Sequence, residues 1–276
     1  MSAQKMTFIG ASKRVFDLSL GEMLWSRRTV FMALVVGGPV LLAVIVKTVE
    51  MFGMSALRIN GQRVAGFGIF GVMIWMLFLR FIIPVLGVFY GTALIADEVD
   101  DKTITYLFTR PIARHAVLFG KYAAFLACTT LLVLPSVVVV YFLIVPLDGG
   151  QVGTEFPALL SDLAMLMAGL AAYGAVFACV GARLKHPLVA GLVFAFGWEP
   201  AVLIFPGYLK RLSVGYYLQA LVPHTMPSDT AVSVLMQIFA EVPSLGLSLA
   251  SLAVITAAAL WLAGRSVDRR EYVLEQ

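Results

Sequence analysis

Charged side chains set inside apolar stretches are the residues of this chain best placed to do chemistry. Arg80 interrupts the run Phe67–Ala96 and Glu199 interrupts the run Leu188–Phe205. An unpaired charge near the middle of a bilayer costs about 2.5–3.5 kcal/mol on insertion scales, so each needs a partner or a wet cavity. On helices rising about 1.5 Å per residue, Arg80 stands roughly 23 Å and Glu199 roughly 16 Å from the same membrane face, an offset that two long side chains can bridge. The expectation is an Arg80–Glu199 pair that pins one membrane segment against another. Such a pair serves either as part of a polar path or gate, or simply as a packing pin. Asp162, close to the end of another apolar run, is expected to be wetted at the interface.

Other chemistry finds little support. The three histidines, His115, His186 and His224, are scattered and have no metal-ligand spacing to one another or to cysteine. Cys128 and Cys179 lie in apolar runs and read as small core residues. No Gly-x-x-x-x-Gly-Lys-Ser/Thr stretch is present, and Gly120-Lys121 runs into Tyr122, so the chain has no loop of its own to cradle phosphates. A Gly-x-Ser-x-Gly nucleophile elbow is missing too. The sequence therefore points to no catalytic residue, metal or cofactor on this chain.

The elements that must position these charges follow from composition. Of 276 residues, 61% are hydrophobic and 13% charged, and the mean hydropathy is +0.93. Soluble domains carry roughly 45–50% apolar and about 25% charged residues. Apolar segments at 30–46, 67–96, 117–145, 159–182, 188–205 and 244–263 predict an all-α polytopic membrane protein with six transmembrane helices. No polar stretch is long enough for a separate catalytic domain, so the chain reads as a single membrane domain. Pro84 and Pro135 are expected kink points, and Gly66, Gly68, Gly71, Gly87, Gly91, Gly169 and Gly174 are candidate sites of close helix approach. No secretory signal peptide is evident at the start.

Six spans put both termini on one side. Of the twenty Lys and Arg, fourteen fall on that side and five, Lys47, Arg58, Arg63, Lys210 and Arg211, on the other. The excess of positive charge faces the cytoplasm, which places both termini inside a cytoplasmic (inner) membrane. The net charge of +4 is thus topological and calls for no nucleic-acid partner.

Four segments outside the spans stand out. Residues 1–28 contain Phe8, Ile9, Ser12, Phe16, Leu20 and Leu24 at helical spacing, with Lys13, Arg14, Asp17 and Glu22 opposite. This predicts an amphipathic surface helix, serving either as a topology anchor or as a docking element. Residues 97–114 open on four carboxylates and end on cations, an order that complements a helix dipole, and Pro111 stops the helix. With Ile104, Tyr106, Leu107 and Phe108 it is more apolar than an idle loop. It packs either into a groove of another protein or under its own bundle. Residues 206–243 form the longest external connection, interfacial or re-entrant around Tyr216–Val222, and 264–276 form a cytoplasmic tail.

The sequence of residues Glu98, Lys102, Thr103, Leu107, Thr109, Arg110, Pro111 and Arg114, continuing to Gly120-Lys121, resembles the signature of ATP-binding cassette exporter permeases of the type-2 class. Trp198-Glu199, Pro206-Gly207, Leu212-Ser213 and Tyr216-Tyr217-Leu218 resemble the outer-loop region of one subgroup. The resemblance implies that 97–114 is a cytoplasmic coupling helix docking on a separate ATPase subunit, which would hold the ATP and Mg. It also implies two copies or two paralogues of the permease, surrounded by membrane lipid. Asp101-Lys102 departs from the acidic or glycine residues more common before the threonine.

Overall fold

The computed structural model describes residues 8–53, 58–59, 62–63, 65–100, 114–204, 208–222 and 243–269. A first helix, α1 (Phe8–Leu24), precedes the membrane segments. Among the described residues five helices are long and apolar enough to cross a bilayer: α2 (Arg27–Met51), α3 (Gly66–Ala96), α4 (His115–Ile144), α5 (Val152–Arg183) and α8 (Leu245–Val267). Between α5 and α8, α6 opens as Pro187–Val193, widens into a π-helical turn at Phe194–Trp198 and continues as Glu199–Ile204. It is followed by the short helix α7 (Val214–Gln219). A two-residue ladder, Arg58–Ile59 against Gln62–Arg63, closes the α2–α3 connection without altering the all-helical class.

Phe8, His115, Phe119, Trp261 and Gly264 border one cavity, so α1, the start of α4 and the end of α8 meet at one end of the bundle. Both ends of the described chain therefore lie on one side. Helix α6 is a shorter apolar helix. Its run of residues 187–204 reaches about 27 Å, close to the roughly 30 Å of a hydrocarbon core.

Helices α3 and α5 form the buried hub, while α2 and α8 turn Leu34, Leu41, Val254 and Trp261 outward. Apolar side chains gain little by leaving hydrocarbon for protein, so such a hub is held by close packing around small residues. A Cβ added at Gly87 or Gly91 of α3 would stand 2.9 Å from Phe177 of α5. Gly174 of α5 receives the ring of Phe125 from α4, and Gly181 lies against the backbone carbonyl of Thr92. Gly66 meets the carbonyl of Ile144 in the same way.

The sequence places Pro84 at a kink, and the structure shows how the helix accommodates it. Nine residues, Ile74–Ile82, form π-helical turns immediately before the Ile83–Leu86 segment that contains Pro84. The same order recurs in α6, where the Phe194–Trp198 turn precedes Pro200. Proline supplies no N–H and crowds the carbonyl four residues back; a wider turn gives that carbonyl room. Pro135, by contrast, sits within an uninterrupted α4.

The N-terminal helix packs most closely through small residues along one edge of its apolar face. Ala11 and Ser19 are buried, Ser12, Phe16 and Leu20 are half-buried, and Ile9 is exposed. The reason is Gly120 of α4, where a Cβ would come within 2.6 Å of the Ser12 carbonyl oxygen and 2.8 Å of Val15 Cβ. Small residues bring α1 and α4 together, with Phe8 edge-on to Phe119 at 6.0 Å. Gly120→Val is expected to destabilise the protein by about 1–3 kcal/mol through overpacking. Limited proteolysis should show α1 cleaved in the variant and protected in the wild type; equal protection would refute this packing.

At the α1–α2 turn, Ser26 caps α2 by accepting from the Thr29 N–H at 3.2 Å. Tyr90 of α3 holds the turn through a 2.6 Å hydroxyl contact with Thr29. One sequence expectation is overturned: Asp162 is 0% exposed. Helix α5 begins at Val152, seven residues before the predicted start, and this carries Asp162 well inside the bundle.

Candidate functional site at the Glu199 cap

Glu199 is 4% exposed and lies just beyond the π-helical turn of α6. Its carboxylate is aimed at the start of α7. The Ser213 hydroxyl donates to Oε2, the Val214 N–H donates to Oε1 at 3.0 Å and the Gly215 N–H donates to Oε2 at 3.3 Å. Ser213 in turn accepts from the Tyr216 N–H at 3.2 Å, so one serine caps α7 and binds Glu199 together. The first N–H groups of a helix lack intrahelical partners and carry partial positive charge, which suits a carboxylate. The Tyr173 hydroxyl of α5 reaches the same carboxylate.

Helix α7 is therefore held inside the bundle. Leu218 is fully buried and packs, with Ile83, against Gly169 near the middle of the 32-residue α5. The chain leaves α6, turns through Tyr208–Leu212 and dips back to that depth. Tyr217 fixes the return by donating to the Arg211 carbonyl at 3.0 Å.

Arg80 occupies the π-helical part of α3, its guanidinium 5.1 Å from the centre of the Trp75 ring. Among the described residues Arg80 and Glu199 make no direct ion-pair contact, although each lies in the other's field. Glu199 is satisfied by Ser213 and two backbone donors, and Arg80 rests on Trp75. They remain electrostatic neighbours, with Tyr173 close to both charges. Of the residues in this cluster, Tyr173 and Trp75 were missed from the sequence, and Ser213 was singled out only within the outer-loop resemblance. Ser213 carried a usable signal, a serine directly before the apolar run Val214-Gly215-Tyr216, but nothing local showed which acid it would meet.

The coupling residues Lys102, Thr103, Leu107, Thr109, Arg110 and Pro111 lie outside the described residues, as do the side chains of Glu98 and Arg114. The helices on either side are defined: Ala93–Asp100 leads into this stretch, and the helix beginning at Arg114 leads out. Lys121, in the Gly120-Lys121 pair, is buried and lines a cavity with Ser19, Glu22 and Tyr90 beneath α1.

A family model described as ABC-2 family transporter protein matches residues 21–198. The chain belongs to that family. No curated protein matches it. The ABC-2 match takes in α2 to α5 and the whole 97–114 stretch, and ends one residue before Glu199. As an ABC-2 transporter protein the chain is a multi-pass membrane permease, and its Glu199 cap lies just past the matched segment.

Proposed function

We propose that this chain is the permease half of an ABC transporter whose ATPase is a separate subunit, and that residues 97–114 are the coupling element between them. The observation that carries this reading is the family match over 21–198, which includes that stretch, in a chain with no phosphate-binding loop. Two permease copies or paralogues would assemble with two ATPase subunits, which bind ATP and Mg. The end of the bundle holding both termini would face the cytoplasm, in keeping with its excess of Lys and Arg.

The fold offers a route for the movement. The coupling stretch is continuous with α3 and α4. Helix α3 touches α6 where Val88 and Thr92 meet Gly191, at 3.1 and 3.3 Å from an added Cβ. Glu199 then ties α6 to α7. A displacement of α3 would reach α7, on the far side of the membrane path, through that short chain of contacts. The work done is export of a molecule or a mechanical pull on a partner.

The test is Leu107→Asp with Arg110→Glu, in a chain co-expressed with its cognate ABC ATPase. The expected result is a chain that still inserts in the membrane but no longer co-purifies the ATPase. A retained, fully active complex would overturn the assignment.

A further inference from the structure

At the end of the bundle that holds the termini, a cavity of about 530 Å³ opens between α2, α3 and the α5–α6 connection. Arg27, Arg28 and Lys185 stand on its rim and Phe31, Phe89 and Val189 line its apolar side. The cations come from chain segments more than 150 residues apart, brought together by the fold. Arg27, Arg28 and Lys185 are exposed, and so are Phe31 and Val189 on the hydrocarbon side. Trp25, 92% exposed, marks the same level two residues away, where tryptophan favours the membrane interface.

This arrangement has the two halves of one kind of molecule: fixed positive charge at the interface and an apolar wall continuing into the hydrocarbon. Basic pockets between membrane helices on the cytoplasmic side suit phospholipid head groups. We infer that this cavity is a binding site for an anionic phospholipid, its phosphate held by Arg27, Arg28 and Lys185 and one acyl chain lying along Phe31, Phe89 and Val189. A phosphate anion alone would use the rim and leave the apolar wall empty. The site requires that the chain sit in a bilayer; it does not depend on ATPase coupling, so either proposal can fail without the other.

The test is native mass spectrometry of the purified full chain in mild detergent, titrated with dioleoyl phosphatidylglycerol or dioleoyl phosphatidylcholine. Phosphatidylglycerol is expected to bind more tightly. Each of Arg27→Gln, Arg28→Gln and Lys185→Gln should weaken it about fivefold, the worth of one interfacial charge. Arg265→Gln, which removes an exposed cation lying over Trp261 outside the cavity, should leave it unchanged. Val189→Trp keeps all the cations but fills the apolar wall, and should reduce binding of phosphatidylglycerol. Equal binding of the two lipids would overturn the site. An equal loss in Arg265→Gln would reduce the effect to general surface charge and also overturn it. Competition by millimolar inorganic phosphate, with Val189→Trp silent, would replace the lipid by a free anion.

Discussion

Glu199→Ala is expected to lower the stability of the protein by about 3–5 kcal/mol, because it leaves several buried donors unsatisfied at about 1–3 kcal/mol each. Three donors lose their acceptor at once: the Ser213 hydroxyl and the Val214 and Gly215 N–H groups. Hydrogen bonds to charged groups are worth about 1.5–3 kcal/mol each, and the orphaned donors have no bulk water to turn to. Glu199→Gln keeps one acceptor oxygen but aims an NH₂ at another donor, so its loss should be smaller yet clear. Unfolding in a graded detergent titration measures both. Cysteine labelling at position 216 should separate the local from the global effect, since release of α7 exposes that position before the bundle opens. A Glu199→Ala protein with wild-type stability and an unlabelled position 216 would refute the cap. Because Arg80 feels the charge without touching it, Arg80→Met and Glu199→Gln should show a coupling of about 1 kcal/mol, above the 0.3–0.5 kcal/mol scatter of independent sites. Strict additivity would mean that the two charges are energetically separate.

Gly181→Ala is the second large effect expected, because the methyl would meet the backbone of α3 at the Thr92 carbonyl. A backbone cannot swing aside as a side chain can, so α3 and α5 must separate along their most buried contact. The loss is expected at or above the upper part of the usual 1–3 kcal/mol for overpacking. Gly174→Ala makes the informative comparison. Its added methyl would meet the ring of Phe125, which belongs to a side chain, and Phe125→Leu in the same protein should restore part of the loss. No side-chain substitution should rescue Gly181→Ala. Thermal unfolding of the three variants decides the matter, and a Gly181→Ala protein as stable as wild type would show that α3 and α5 are less tightly apposed than described.

The apolar runs made the membrane helices legible because a span must be about 20 residues long and nearly free of charge, whatever it packs against. Positions such as Gly87, Gly91 and Gly174 were legible as a class, since close approach needs small residues. The partner each received was not. The Glu199 site shows where local pattern stops: the heights of Arg80 and Glu199 could be counted along their helices, but the donors that satisfy Glu199 arrive from a separate segment, fourteen to sixteen residues further on. Asp162 was misplaced for a simpler reason. The residues before Leu159 include Glu155 and Pro157, which dilute the apolar signal, yet the helix continues through them to Val152. In α1, the close approach to Gly120, rather than bulk, decided which edge of the apolar face is most deeply buried.

The wide turns ahead of Pro84 and Pro200 give the two helices that carry Arg80 and Glu199 an extra degree of freedom. A π-helical turn holds one residue more than the α-helical turn it replaces. Taking up that residue would rotate everything on one side of it by about 100° and shift it by about 1.5 Å along the axis. Arg80 lies within one such turn and Glu199 directly beyond the other. Each wide turn is thus a screw thread in the backbone: an axial shift absorbed there would turn the charged side chain beside it about the helix axis.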